Sequence, residues 1–276
     1  MKTKQLISIA FFIFSYFDLT AQERGIRCLY ELTYTRDTTK TEFTHSDIIV
    51  LRRGENRSVS YSQYTHRIDS LYALDGGEGV FYNERLREAI LSGGAISIPT
   101  RRAGFYIFKD FTKQEVEVVD NIQTDYFIYD DQLYSQSWEL ADSTKTIAGY
   151  ICNLAHCDFR GRQWSAWYTT EIPISDGPWK FCGLPGLILE LYDREPHYKF
   201  TLISITSTEG DEIGTPKKFC NKRTRKTDRK KLLRAQMAAL KDIGGYLSMS
   251  SSAQIEGVTE SSPKNVMFDF MERDYK

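Results

Sequence analysis

The residues best suited to chemistry lie together in the segment CNLAHCDFRGR, residues 152–162. Cys152, His156 and Cys157 could offer two sulfur ligands and one nitrogen ligand to zinc or copper. In a strand, however, Cys152 and His156 would point to one face and Cys157 to the other. No second ligand pair follows at the spacing of a structural zinc site. The residues therefore predict no metal and no other cofactor, and a metal-binding protein or enzyme built on this cluster is the alternative.

Disulfide bonds are a second possible use of the cysteines, and five of them are available: Cys28, Cys152, Cys157, Cys182 and Cys220. Disulfides persist in exported proteins. Because five is an odd number, at least one thiol stays unpaired or pairs with another chain. Spacing alone does not choose among the pairings, which include a bridge between Cys152 and Cys157 across a tight turn.

Catalytic motifs are missing from the sequence. It contains no nucleophile elbow, zinc-protease helix, phosphate-binding loop or dinucleotide fingerprint. The remaining histidines, His45, His66 and His197, are scattered and no motif ties them to a cysteine. The formal net charge of −1 does not favour nucleic acid as a partner. We therefore favour a non-enzymatic protein.

Aromatic residues cluster in one part of the chain. Trp164, Trp167, Tyr168 and Trp179 fall within sixteen residues. Such clusters fill ordinary cores, but they also line apolar pockets. On a strongly curved sheet with helices on its concave side, these four residues are the candidate lining of a ligand pocket.

The first 21 residues have the pattern of a signal peptide. Lys2 and Lys4 precede an apolar run over residues 6–17, which is too short to span a bilayer of roughly 30 Å. A small-residue cleavage site ends at Ala21. We expect an exported protein, periplasmic or secreted, whose mature chain starts at Gln22 and has no transmembrane span.

Residues 22–276 are predicted to form one mainly β domain of the α+β kind. Period-two alternation is present in residues 24–35, and strand after strand follows between residues 103 and 138. About a dozen strands alternate with two or three helices, one around residues 68–72 and another after Thr227, and the tail reads as a last strand. No βαβ rhythm is present, which indicates a curved antiparallel sheet or half-barrel.

The segment GLPGLILELYD could either bind a ligand or bend the chain. A phosphate-binding loop would be followed by a helix, whereas here alternating leucines predict a buried strand. Proline restricts its own φ and the residue before it, and glycine permits a sharp bend. We therefore interpret six residues as a structural motif: Gly183, Leu184, Pro185, Gly186, Leu187 and Ile188.

That hexapeptide, GLPGLI, resembles the name-giving motif of the GLPGLI family of exported Bacteroidota proteins. Further segments are similar to the family pattern: IAGYIC at 147–152, FRGR at 159–162, WSAWYT at 164–169, IPISDGPWKFCGLPGLILELYD at 172–193 and the closing FMERDYK. Cys182 departs from it, since a small or apolar residue is expected there. The resemblance implies a β-rich exported protein without an established activity.

These features together favour a binding or accessory protein of the cell envelope. By analogy with the half-barrels of periplasmic lipid and lipoprotein carriers, we expect an apolar or lipid-like ligand, or an outer-membrane protein as partner. This is an analogy of fold, and a fold does not establish a function.

Overall fold

The computed structural model describes most of the chain after the predicted signal peptide. The described residues are 24–35, 45–73, 101–123, 125–209, 213–216, 223–241 and 269–275, with a few helical residues between 83 and 93. The predicted signal peptide, residues 1–21, and the disulfide candidate Cys220 lie outside them.

Twelve strands and two longer helices make up the described chain. The strands are β1 Arg24–Tyr34, β2 His45–Arg53, β3 Arg57–Ser62, β4 Tyr106–Asp110, β5 Glu115–Ile122, β6 Asp125–Gln132, β7 Glu139–Ile147, β8 Tyr150–Phe159, β9 Arg162–Thr169, β10 Leu187–Asp193, β11 Tyr198–Glu209 and β12 Thr224–Lys226. The helices are α1 Gln63–Tyr72 and α2 Arg229–Lys241.

All twelve strands join one open sheet in the order β12-β6-β5-β4-β3-β2-β1-β11-β10-β9-β8-β7. Strands β1 to β6 form one meander and β7 to β11 form another. The two meanders are joined where β1 pairs antiparallel with β11. Every pairing is antiparallel except that of β12 with β6, so the sheet is mixed rather than purely antiparallel.

One face of the sheet carries the main core, the larger cluster of buried apolar residues. In β1, Cys28, Tyr30 and Leu32 are buried at period two, as the alternation in the sequence predicts. The other face carries a smaller cluster that includes Val59 and Tyr106. Because both faces are covered at the centre of the sheet, its middle strands are buried on both sides.

The two helices lie on opposite faces, and not together on one concave side. Helix α1 starts after Ser62, whose hydroxyl accepts a hydrogen bond from the Thr65 N–H. Its Asp69 accepts a hydrogen bond from the Tyr106 hydroxyl at 2.7 Å, on the face of the smaller cluster. Helix α2 packs Leu232 into the main core.

The prediction of a mainly β protein with few helices is confirmed. The sheet is open, with β7 and β12 at its two edges. Among the helices described, none has both the length and the apolar character that crossing a membrane requires.

The end of the chain differs from the sequence prediction. We expected a last strand there, but the C-terminal segment, residues 269–275, has no regular secondary structure. Charged side chains such as Arg162 and Arg229 hold it against the sheet and α2. Pairing of its backbone in the sheet is replaced by hydrogen bonds to side chains such as that of Arg162, which donates twice to the Phe270 carbonyl.

Candidate functional site

A cavity of ≈ 580 Å³ lies between the main core face of the sheet, helix α2 and the C-terminal segment. Alternate side chains of a strand face the same side of the sheet, and Leu32 of β1 and Val118 of β5 thereby line the floor of the cavity. Helix α2 contributes Leu233 and Ala239. The C-terminal segment adds residues 269–272. The cavity is therefore a gap between elements that come from both ends of the chain.

Polar and charged side chains form a substantial part of the wall, and they include Arg101, Arg102, Asp120 and Gln236. Asp120 lines the cavity and accepts a hydrogen bond from the Asn121 N–H at 2.8 Å. Burial raises the pKa of Asp120 above its ordinary value, and hydrogen bonds from Gln236 and from the backbone offset this only partly. A carboxyl group in this state keeps its proton to a higher pH than usual and can then donate a hydrogen bond.

Arg162 holds the start of the C-terminal segment. Its side chain is almost fully buried and forms ion pairs at 2.6 Å with Asp193 in β10 and at 2.6 Å with Asp269. Two of its nitrogens donate to the Phe270 carbonyl oxygen at 2.9 and 2.7 Å. Burial alone would raise the pKa of Asp269, but hydrogen bonds from Arg273 and the charge of Arg162 hold it below its ordinary value.

Lys180 and Arg229 hold the middle and the end of the segment. The buried Lys180 ammonium donates to Glu272, to Asp131 at 2.8 Å and to the Tyr129 hydroxyl at 3.1 Å. Arg229 of α2 pairs with Glu272 and, at 2.7 Å, with Asp274. We call the following five pairs the ionic clasp: Arg162–Asp269, Lys180–Glu272, Arg229–Glu272, Arg229–Asp274 and Arg160–Asp274.

The cations of the clasp lower the pKa of carboxylates that contact them, both within the clasp and beside it. Burial tends to raise the pKa of Asp131, but the neighbouring Lys180 outweighs it and the pKa falls below the ordinary value. The pKa of Asp274 is lowered chiefly by its hydrogen bond with Arg229. Both carboxylates therefore stay charged to a lower pH in the folded protein than in the unfolded chain.

The four aromatic residues predicted to line a pocket are placed mostly in the core. Trp164 packs against Phe181 with ring centroids 4.9 Å apart, and Tyr168 is buried as well. Trp167 is half-buried beneath the Lys145 ammonium, 4.5 Å from its ring centroid. Of the four, Trp179 alone lines the cavity.

The cluster of Cys152, His156 and Cys157 does not come together. All three lie in β8, where a rise of about 3.3 Å per residue separates Cys152 from Cys157 by roughly 16 Å. His156 is exposed, with Nδ1 2.9 Å from the Ser165 hydroxyl, whereas Cys157 points to the buried face. One metal ion cannot bridge these three side chains in this strand.

The disulfide prediction also lacks support among the described cysteines. Cys28, Cys152, Cys157 and Cys182 are all buried free thiols. A bridge between Cys152 and Cys157 would need their Cα atoms within about 4.4–6.8 Å, which an extended strand does not allow. Burial raises the pKa of Cys28 and of Cys157 to about 12 in each case.

A different group of possible metal ligands is formed by Asp193, Glu195 and His197, whose ligand atoms lie within 4.8 Å of one another. Two guanidinium groups already neutralise this group. Arg162 pairs with Asp193 at 2.6 Å, and Arg273 pairs with Glu195 at 2.5 Å. The arrangement is accounted for by these ion pairs, and it does not favour a cation.

The GLPGLI segment bends the chain into β10. Gly183 has a φ of 93°, in the left-handed region that favours glycine. A Cβ on Gly186 would lie 1.9 Å from the Thr169 carbonyl oxygen, so only glycine fits this close approach. Leu184 is buried and Pro185 is exposed. Three members of the motif belong to the main core: Leu184, Leu187 and Ile188.

Sequence reasoning missed the C-terminal segment and its basic partners as parts of one site. The alternation of charges in DFMERDY and the two arginines of FRGR are visible signals, but they lie more than 100 residues apart. It also missed Lys109 in β4, which is fully buried and pairs with Asp176 at 2.6 Å.

The chain is similar in part to known proteins. A family model described as a protein of unknown function, Porph_ging, matches residues 159–190, which include FRGR and GLPGLI. Two crystal structures of PNGF-II resemble the fold with a TM-score of 0.49 each, at 12% and 11% sequence identity. The similarity covers 78% of this chain and 33% of those chains, so this chain spans about a third of their length. No curated protein sequence matches it.

Proposed function

We propose that the protein is a non-enzymatic binding protein that holds a small amphipathic ligand in the cavity between the sheet, α2 and the C-terminal segment. The observation that carries this proposal is the cavity itself. Its volume of ≈ 580 Å³ falls within the range of about 300–1,000 Å³ that is usual for small-molecule sites.

The lining supports a ligand with an apolar body and at least one hydrogen-bonding group. Aliphatic side chains of β1, β5 and α2, together with aromatic rings such as those of Phe105 and Trp179, supply the apolar part of the wall. Asp120 and the amide of Gln236 provide polar contacts at separate positions of the chain. A few polar groups in an apolar wall are the usual means of orienting a ligand.

The chemistry of the lining supports binding over catalysis. The described residues around the cavity include no serine, threonine, cysteine, histidine or lysine, the side chains that most often act as nucleophile or base. Of the lining carboxyl groups, Asp269 and Glu272 are ion-paired with arginine or lysine, and Asp120 accepts a hydrogen bond from the Asn121 N–H with no serine or cysteine beside it in the described lining. A retained, chemically unchanged ligand fits this lining.

We further propose that the protein is exported and acts in the periplasm or outside the cell, as a single domain over residues 22–276 after removal of residues 1–21. Support comes from the signal-peptide pattern of the sequence. The resemblance to the GLPGLI family supports the same location. An apolar or lipid-like molecule of the envelope is then a ligand of suitable chemistry.

The test uses N-phenyl-1-naphthylamine, a neutral fluorescent probe whose emission rises in apolar surroundings. We expect saturable binding to the wild-type protein. In the variant Ala239→Phe, a ring on the cavity side of α2 would fill part of the space, and we expect the affinity to fall at least about tenfold, which is ~1.4 kcal/mol.

Ala238→Phe is the matched control, because Ala238 is the preceding residue of α2 and is exposed. It should bind the probe as the wild type does. Equal binding by Ala239→Phe and Ala238→Phe, with both variants folded by circular dichroism, would contradict the proposed function.

A further inference from the structure

The C-terminal segment forms one wall of the cavity, and its attachment is unlike that of the other walls. Asp269 and Glu272, both charged, are its buried residues along the cavity, whereas Phe270 and Met271 are half-buried. This reverses the usual pattern, in which apolar residues are buried and charged ones face solvent. Along the cavity the segment is held chiefly by charge, while Met271 packs against the main core and Tyr275 is buried at its end.

Attachment by charge has a specific energetic consequence. Buried ion pairs gain Coulomb energy, but the cost of removing both charges from water cancels much of that gain. When the segment lifts, its carboxylates and the partner cations regain their hydration. The ionic clasp therefore determines the position of the docked segment, but it adds little net free energy to docking.

The hairpin turn between β8 and β9 is shaped to accept the docked segment. Gly161 in this turn has a φ of 78°, and a Cβ on it would lie 3.0 Å from the Arg273 Cβ and 3.3 Å from the Asp274 nitrogen. The Arg273 N–H donates to the Arg160 carbonyl oxygen of the same turn at 2.7 Å. The segment therefore lies directly against Gly161.

From these observations we propose that the C-terminal segment is a gate, which opens by release of the ionic clasp to let ligand enter and leave the cavity. The inference rests on the proposed function, since it assigns regulation to the same cavity. In the open state Arg162, Lys180 and Arg229 are exposed to solvent. In the docked state Asp269, Phe270, Met271 and Glu272 form one side of the cavity.

The chain itself offers a matched pair of variants for the test. Gly149, in the turn between β7 and β8, has a positive φ of 88° and follows Ala148 at 50°, just as Gly161 follows Arg160 at 54°. A Cβ on Gly149 would meet nothing within 4 Å. Gly149→Ala and Gly161→Ala therefore carry the same kind of backbone strain, and only Gly161→Ala pushes against the C-terminal segment.

Two measurements are made on each variant and on the wild type. Hydrogen–deuterium exchange of peptides covering residues 269–275 reports opening of the segment. Stopped-flow fluorescence with N-phenyl-1-naphthylamine reports the rates of entry and exit. For Gly161→Ala we expect both exchange and the two probe rates to rise about tenfold, which is ~1.4 kcal/mol in the opening equilibrium. For Gly149→Ala we expect wild-type values.

Asp274→Asn serves as a second variant, should Gly161→Ala fail to fold. Asp274 belongs to the segment, pairs with Arg229 and Arg160 and does not line the cavity, so the substitution weakens the attachment of the segment without changing a lining residue. We expect the same direction of change as for Gly161→Ala.

The outcomes separate the gate from the binding function. Faster exchange with unchanged probe rates would overturn the gate while leaving the ligand cavity intact, as would equal exchange in Gly161→Ala and Gly149→Ala. If the wild-type protein does not bind the probe at equilibrium, the proposed function fails, and the gate fails with it.

Discussion

The buried pair between Lys109 and Asp176 allows a quantitative test of how charges hold this fold together. Both side chains have no exposed surface, and the Lys109 ammonium donates to Asp176 at 2.6 Å and to the carbonyls of Gly177 and Phe181 at 2.8 Å each. All three ammonium hydrogens thus have acceptors. The perturbation is Lys109→Met, which keeps an unbranched side chain as far as Cε and removes the charged ammonium group.

The expected cost follows from burial. Removing one partner of a buried pair leaves an uncompensated carboxylate and typically costs about 3–5 kcal/mol. The two carbonyl groups would also lose their donor. Lys145 and Glu190 form the control, because their pair has the same 2.6 Å distance but the Lys145 side chain is 36% exposed. Lys145→Met should cost no more than about 1 kcal/mol.

The assay is urea unfolding at neutral pH, followed by fluorescence and by circular dichroism, for the wild type and both variants. The free energy of unfolding comes from the midpoint and the slope of each transition. We expect Lys109→Met to lie several kcal/mol below Lys145→Met. A difference of less than 1 kcal/mol between the two variants would refute the reasoning, because burial would then not decide the energy of the pair.

Two further predictions concern thiols and acid. Burial raises the pKa of Cys28 and Cys157 to about 12, so both thiols should resist alkylation by iodoacetamide at pH 8 in the native protein. After unfolding without reductant both should react, which mass spectrometry of the labelled peptides checks. A disulfide bridge would keep them unlabelled in the unfolded protein. Asp131 has a folded-state pKa below the ordinary value of 3.8, so its stabilising effect is present above pH 3.8 and disappears as the pH falls through the folded-state value. Urea unfolding at pH 5 and pH 3 should therefore show a smaller loss of stability for Asp131→Asn than for the wild type. Burial raises the pKa of Asp47, so Asp47→Asn should lose more stability than the wild type between pH 5 and pH 3. A smaller loss for Asp47→Asn would contradict this assignment.

Much of the fold could be predicted from local patterns. The alternation of Cys28, Tyr30 and Leu32 predicts β1 and its buried face, and the structure has both. The spacing of Ile68 and Leu71 predicts α1 in the same way. These predictions succeed because the repeat of a strand or helix is written within a few neighbouring residues.

The candidate site could not be predicted in the same way. Trp164 and Tyr168 were reasonable pocket residues by type, yet they pack in the core, while Trp179 reaches the cavity. Whether a ring lies in the core or at the cavity depends on which strand or helix covers it, and residue type does not show this. The cluster around Cys152 failed for a simpler reason, because a strand keeps residues five positions apart far from each other.

The amino-acid sequence by itself determined strands such as β1, the bend at the GLPGLI segment and the mainly β class of this protein, since each depends on steric preferences and burial patterns of adjacent residues. The tertiary structure alone decided the cavity and the ionic clasp. Arg162 and Asp269 are 107 positions apart, and Lys180 and Glu272 are 92 apart. Charges separated by that much chain become partners only when the sheet has formed, because the path of the backbone, and not the order of residues, sets the distance between them.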